Sequence, residues 1–255
     1  MAGLAGTVNA STTWTLAANG TVAGTGDPTP VTASAVAWAN TKDSNSSPAN
    51  NQGLESQDLT LWGGGLGVYN KDACGTAPCD TAEYRQPEHA IDNNERYEMV
   101  LVDFGGALVK LETVKFGWTS SDSDISVLAY SGSGKPTLDG KLWSDLANVN
   151  SGWTSIGNYA NVGTSAKQVN TGANTSNEAV SSSYWLIGAF NPLASPTSNN
   201  INSRRIGEGN DYLKLQYVTG TVQARIDPPP GVPEPGSLAL MAAGMLGLFG
   251  VRRRS

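Results

Sequence analysis

Several segments of the chain alternate apolar and polar residues or are rich in β-formers, the mark of half-buried β-strands. Val109, Leu111, Thr113 and Val114 lead in this way into Phe116 and Trp118, and Tyr97 to Phe104 carries Met99, Leu101 and Val102 among β-formers. Further strands are predicted over Thr12 to Leu16, Val31 to Ala39, Leu59 to Trp62, Ile125 to Tyr130, Trp153 to Tyr159, Ser183 to Phe190, Tyr212 to Val218 and Val222 to Ile226. That makes about ten strands, separated by turn formers such as Gly63-Gly64-Gly65, Gly105-Gly106 and Asp139-Gly140. No stretch of the body keeps a 3.6-residue period, and Leu138 to Leu146 has room for one or two helical turns only. Many short strands joined by turns predict an all-β fold, an antiparallel β-sandwich of the jelly-roll kind.

The pattern changes at the C-terminal end. Asp227 to Gly231 is a proline-rich linker, extended and stiff. Val232-Pro233-Glu234-Pro235 and Gly236-Ser237 follow, then an uncharged run from Leu238 to Val251, then Arg252, Arg253, Arg254 and Ser255. The run is apolar all round, unlike a core helix with one polar face. As a helix it covers ~21 Å, a short transmembrane span that the snorkelling arginines extend. The arginines act as a cytoplasmic stop, which leaves the preceding chain on the outer side of that membrane. The expected organisation is therefore residues 1–10 as the remnant of a secretion signal or a disordered N-terminus, 11–226 as the β-sandwich, 227–231 as linker and 232–255 as tail. Val8-Asn9-Ala10 has the small-x-Ala form of a signal-peptidase site, which places a mature start near Ser11.

Charge narrows the function. The net charge is −6, and Glu234 against three arginines puts +2 on the tail and −8 on the rest. An acidic body argues against binding nucleic acid through phosphate neutralisation. Charged residues make up only 15% of the chain while Gly, Ser, Thr and Asn abound, which suits a β-rich extracellular protein.

Candidate chemistry is sparse. Cys74 and Cys79 are the two cysteines, and in an exported chain they point to a disulfide; the rival, half a zinc site, lacks soft ligands beyond the single histidine, His89. His89 precedes Asp92 by three residues, and we read it as a loop anchor bonded to backbone or to Asp92. No Gly-x-Ser-x-Gly elbow accompanies it. Among Asp92, Glu95, Glu98, Asp103, Asp122 and Asp124, spacing selects no catalytic pair. No catalytic residue and no cofactor is assigned, and the body is read as non-enzymatic. Asp122 and Asp124 offer two oxygen ligands to calcium, against the simpler reading of a solvated Asx-turn. Of the seven tryptophans, Trp118 and Trp185 lie inside strands and are expected in the core, whereas Trp143 and Trp153 flank a loop-rich region and are the candidates for glycan contact.

Pro233-Glu234-Pro235, the apolar run and the arginine cluster, in that order, resemble the PEP-CTERM sorting signal of Gram-negative bacteria. That resemblance implies recognition by the membrane protease-transferase exosortase, transient residence in the inner membrane, cleavage near the motif, and export to the cell surface or extracellular matrix. The body is similar to the exosortase-dependent surface protein family, through Gly65-Leu66-Gly67-Val68-Tyr69, His89-Ala90-Ile91-Asp92-Asn93, Asp122 to Tyr130, Ser182 to Ala189 and Gly209 to Leu215. The resemblance implies a matrix or biofilm setting beside exopolysaccharide, and the tail, low charge, strand pattern and absent catalytic constellation make a non-enzymatic structural or adhesive surface protein the leading reading. A carbohydrate-binding module is the alternative, and a secreted glycoside hydrolase the third reading.

Overall fold

The computed structural model describes residues 10–26, 30–42, 52–76, 79–81, 83, 89–171, 179–196, 200–201, 204–207 and 209–223. The chain divides into two compact units, Met1–Gln223 and Ala224–Ser255. The second unit, which holds the linker, sorting motif, expected transmembrane helix and arginine cluster, lies outside the described residues. No helix among the described residues is long and apolar enough to cross a membrane.

The first unit is all-β. Its strands are β1 (Ser11–Thr15), β2 (Thr21–Ala23), β3 (Thr32–Lys42), β4 (Gly53–Trp62), β5 (Gly65–Tyr69), β6 (Ile91–Asp92), β7 (Glu98–Asp103), β8 (Val109–Ser121) and β9 (Ile125–Tyr130). After one helical turn, α1 (Trp143–Leu146), come β10 (Trp153–Tyr159), β11 (Lys167–Gln168), β12 (Tyr184–Ala189), β13 (Asn200–Ile201), β14 (Arg204–Arg205) and β15 (Asp211–Val222). β13 and β14 pair with each other, and the other thirteen form one antiparallel sheet in the order β10-β9-β12-β7-β3-β4-β5-β15-β8-β11, with β1 and β6 on β15 and β2 on β3.

The expectation of two separate packed sheets is thus corrected: the strands form one continuous sheet that curls on itself into a half-barrel. β4 makes the turn. Its first half pairs with β3, Ala37 opposite Gln57 and Ala39 opposite Glu55, and its second half pairs with β5, Asp58 opposite Tyr69 through Trp62 opposite Gly65. One strand shared between two partners removes the edge that an open sandwich would leave.

The inner face of the curl is the main core. Val100, Val102, Val127, Trp185 and Ile187 come from one half, and Leu66, Leu111, Phe116, Leu213 and Val218 from the other. β7, β9 and β12 are buried on their outer faces as well. There Met99, Leu101, Leu128 and Leu186 pack under Leu138, Trp143 and Leu146 of the segment that contains α1. Burial on both faces explains why these strands read as near-continuous apolar runs.

Several strand boundaries differ from expectation: β3, β4 and β8 run longer than predicted, to Lys42, from Gly53 and to Ser121. The expected break between Val218 and Val222 is absent, because Thr219-Gly220-Thr221 continues β15 to Val222 through a register shift where a Cβ on Gly220 would sit 2.6 Å from the Lys110 carbonyl oxygen, and residues 224–226 of the expected last strand lie outside the described residues. β5 was hidden by its glycines. Gly63 and Gly64 make the two-residue turn, while Gly65 and Gly67 lie inside the strand where backbone passes close by; a Cβ on Gly67 would run into the His89 carbonyl.

Overpacking of this kind costs about 1–3 kcal/mol. Gly67→Ala should therefore lower the stability by that amount in urea unfolding, whereas Gly63→Ala, with open space around it, should stay within about 0.5 kcal/mol of the parent. Equal effects would contradict the close approach of β5 to residue 89.

Candidate functional site

Two groups of buried carboxylates gather where β6, β7 and β15 begin. The first surrounds Asn70, which follows β5. Its Nδ2 donates to Asp80 Oδ2 at 2.5 Å, Glu98 Oε1 at 3.1 Å and Glu83 Oε2 at 3.4 Å, and its Oδ1 accepts the Asp72 N–H at 3.1 Å. Glu98 opens β7, and its Oε2 accepts the Asp92 N–H at 3.2 Å. Arg96, fully buried, forms an ion pair with Asp72, with Nε 2.7 Å from Oδ2. The Cys74–Cys79 disulfide closes the loop that delivers Asp80, since the Cys74 N–H donates to the Asp80 carbonyl at 2.9 Å and the Asp80 N–H to the Asp72 carbonyl at 3.0 Å. The cysteines therefore pair with each other rather than contributing to a metal site.

Burial pushes the Asp92 and Glu98 carboxyls well above their ordinary values, and neighbouring charges push further: Asp80 on Asp92, and Asp92 on Glu98.

His89 anchors its loop as expected, but to a different partner. Its Nδ1 meets Glu83 Oε1 at 3.0 Å, and its ring stacks on Trp62 with centroids 4.7 Å apart and 14° between planes. The backbone there is left-handed, φ +54°, which turns the ring back over β4 and β5.

The second group lies at the corner where β8 leaves one half of the sheet and β9 begins the other. Asp122 and Asp124 occupy that corner, and Asp211 is the first residue of β15. One carboxylate oxygen from each of the three lies within 4.8 Å of the others. Asp124 and Asp211 are fully buried and Asp122 half-buried. Asp124 ties four segments together. Its Oδ1 accepts the Asn161 N–H at 2.7 Å, its Oδ2 the Gly207 N–H at 2.9 Å, and its carbonyl the Phe190 N–H at 3.0 Å, while its own N–H donates to Asp211 Oδ1 at 2.6 Å. Asn93, just after β6, donates from Nδ2 to Asp211 Oδ2 at 2.7 Å and to the Phe190 carbonyl at 3.0 Å. Burial raises Asp124, and burial with the Asp124 charge pushes Asp211 up to about 8. The Asx-turn expected at Asp122 is not the form seen, since Asp122 Oδ1 accepts from the adjacent Ser123 N–H at 2.8 Å.

The expected glycan contacts fare differently. Trp143 is not exposed: it is a core residue of α1, and its Nε1 donates to the Tyr97 carbonyl at 3.1 Å. Trp153 is 8% exposed and packs against Tyr130 at 5.1 Å, along an open groove of about 590 Å³ that Lys135, Asp145, Asn148 and Asn150 also line. The exposed tryptophan is Trp62, 39% exposed, with Lys214 Nζ between its ring and that of Trp118 at 5.3 and 4.9 Å. Trp185 lies in the core as expected, and Trp118 is half-buried. Of the other acidic candidates, Glu95 accepts the Thr81 N–H at 2.7 Å in a loop, and Asp103, the last residue of β7, accepts the Gly105 N–H at 2.8 Å in the turn that follows.

Residues 231–254 match the family model of the PEP-CTERM protein-sorting motif. The tail is a PEP-CTERM sorting signal. The match takes in Val232, Pro233, Glu234 and Pro235 together with Arg252, Arg253 and Arg254. The chain is therefore an exported protein targeted to exosortase. No curated protein and no solved structure matches the chain.

The buried carboxylates make a sign-definite prediction. Asp92 and Glu98 have folded values above their ordinary 3.8 and 4.5. The stability they contribute is fully present below the ordinary values and is lost as pH rises through the raised ones. The urea midpoint should fall as pH rises from 4.5 to 8, and Glu98→Gln should remove up to one proton's share of that slope, about 1.4 kcal/mol per pH unit. Parallel slopes in parent and variant would contradict the burial of an ionisable Glu98.

Proposed function

We propose that the mature protein is a surface or extracellular-matrix component, processed by exosortase at its tail, whose β-sheet body has a non-enzymatic structural or adhesive role beside exopolysaccharide. The observation that carries this reading is the sorting motif at residues 231–254, which follows a proline-rich stretch in the sequence. Exosortase and the inner membrane are then the partners of the tail, the membrane transiently. The net negative charge of the body argues against binding nucleic acid through phosphate neutralisation. The Cys74–Cys79 disulfide supports export, because such bonds persist in an oxidising exterior, and the β-sheet body with few charged residues suits a structural role.

A carbohydrate-binding role is the second reading. It is favoured by the groove beside Tyr130 and Trp153, where an aromatic wall faces exposed Asn148 and Asn150. Retention on immobilised exopolysaccharide, lost in an Asn148→Ala and Asn150→Ala double variant, separates this from a purely structural role. A hydrolase reading is weaker, since the carboxylates that lie together are buried at the sheet end and do not line this groove.

Replacing Pro233, Glu234 and Pro235 together by alanine should stop processing and hold the protein in the inner membrane at full mass, while body stability in urea stays unchanged. Normal surface delivery of that variant would overturn the sorting role assigned to the motif.

A further inference from the structure

We propose, building on the carbohydrate reading of the groove beside Tyr130 and Trp153, that its ligand is an acidic glycan, a chain whose sugar rings carry carboxylates, with Lys135 and Lys141 reading the charge. Both lysines line the groove and both are exposed. Lys135 Nζ lies 3.5 Å from Asp103 Oδ2 with its side chain 67% exposed, a loose surface pair that a ligand carboxylate can displace. Lys141 forms no ion pair among the described residues. The acidic residue of the lining, Asp145, is turned to its own chain, its Oδ2 accepting the Leu142 N–H at 2.9 Å. The groove is thus a positive spot on an acidic body.

The groove wall is built before any ligand arrives. Tyr130 packs on Trp153 with ring centroids 5.1 Å apart, and edge-on to Tyr184 at 6.1 Å. The Trp153 N–H donates to Ser151 Oγ at 3.0 Å, and that hydroxyl donates to the carbonyl of Leu146 at 2.8 Å, a residue fixed in the outer core. Two glycines leave Tyr130 uncovered. A Cβ on Gly132 would run into the Tyr130 hydroxyl, and one on Gly152, whose φ is +80°, would lie 2.7 Å from its Cε2. A preformed wall lowers the ordering cost of binding.

The lining selects among ligands. Sites for small apolar molecules are mostly apolar, whereas here Ser133, Thr137, Asn148 and Asn150 set hydroxyls and amides beside the aromatic wall. That set matches a sugar ring, which lays an apolar face on an aromatic ring and carries hydroxyls that both donate and accept. Nucleic acid fits less well, because it brings a phosphate at every nucleotide and two lysines on an acidic body neutralise few of them. A carboxylate on a sugar ring needs one ammonium, which a lysine supplies in a charge-assisted hydrogen bond.

The test titrates the full-length chain in detergent, by calorimetry, with a hexamer of galacturonic acid and with the same hexamer methyl-esterified. The acid should bind at least about tenfold more tightly than the ester, and its binding alone should weaken as salt rises. Lys135→Gln and Lys141→Gln, both at exposed positions, should keep the parent's urea midpoint and each weaken the acid about fivefold or more while leaving the ester unchanged. Equal binding of acid and ester, both lost in the Asn148→Ala and Asn150→Ala double variant, would overturn the acidic class and leave the carbohydrate reading standing. Binding of neither hexamer would overturn the acidic class, and absent retention on immobilised exopolysaccharide would overturn the carbohydrate reading with it. Acid binding that persists unchanged in both lysine variants would overturn the assignment to this groove.

Discussion

The Asp124 carboxylate is the interaction on which this end of the body depends. A curled sheet needs a corner at each place where the chain passes from one half to the other, and corners expose backbone N–H groups that the ladder cannot satisfy. At the β8–β9 corner Asp124 supplies the acceptors, taking N–H groups from Asn161 and Gly207, while Asp211 takes the N–H of Asp124 itself. Asn93 closes the set by joining Asp211 to Phe190. Five segments are thus held by carboxylates and one amide at the point where the ladders of β8–β15, β9–β12 and β9–β10 end. The same solution recurs around Asn70, where the Cys74–Cys79 disulfide limits the loop that brings Asp80 inward.

That solution concentrates negative charge in the interior, and the raised Asp211, Asp92 and Glu98 carboxyls are its direct consequence. Polar satisfaction and charge repulsion pull in opposite directions at one place. Backbone donors favour the ionised carboxylate, whereas burial and like charges favour the protonated one. Burial is the largest contribution for each of the three groups, so the backbone bonds moderate the repulsion without cancelling it. An exported protein meets pH and ion conditions that the cell does not regulate, so what neutralises this corner bears on where the body stays folded.

Much of the fold was legible in the sequence because strand periodicity is local. Ile125–Tyr130 and Trp153–Tyr159 lie where alternation and β-formers place them. The curl was not legible, since it rests on β4 changing partners half-way, from β3 to β5, and pairing is a property of distant segments. Trp143 was misread as exposed because its neighbours have loop composition. The signal that corrects it sits on β7, whose unbroken Met99-Val100-Leu101-Val102 run means that both faces need cover. Asp122 and Asp124 stood out as a pair, but Asp211 reaches them only through the β8–β15 pairing, Ser121 opposite Asp211. The sorting motif was readable, because it is carried by consecutive residues.

Body and tail thus answer to different physics, the one to the packing of a curled sheet and the other to a linear sorting signal. The most direct measurement is the intact mass and membrane fractionation of the native protein from wild-type cells and from cells lacking exosortase. Processing predicts loss of the chain beyond the Pro233-Glu234-Pro235 region and surface or medium localisation in the wild type, with full-length protein kept in the inner membrane of the mutant. Full-length protein in the inner membrane of both strains would contradict it and make the tail a permanent anchor.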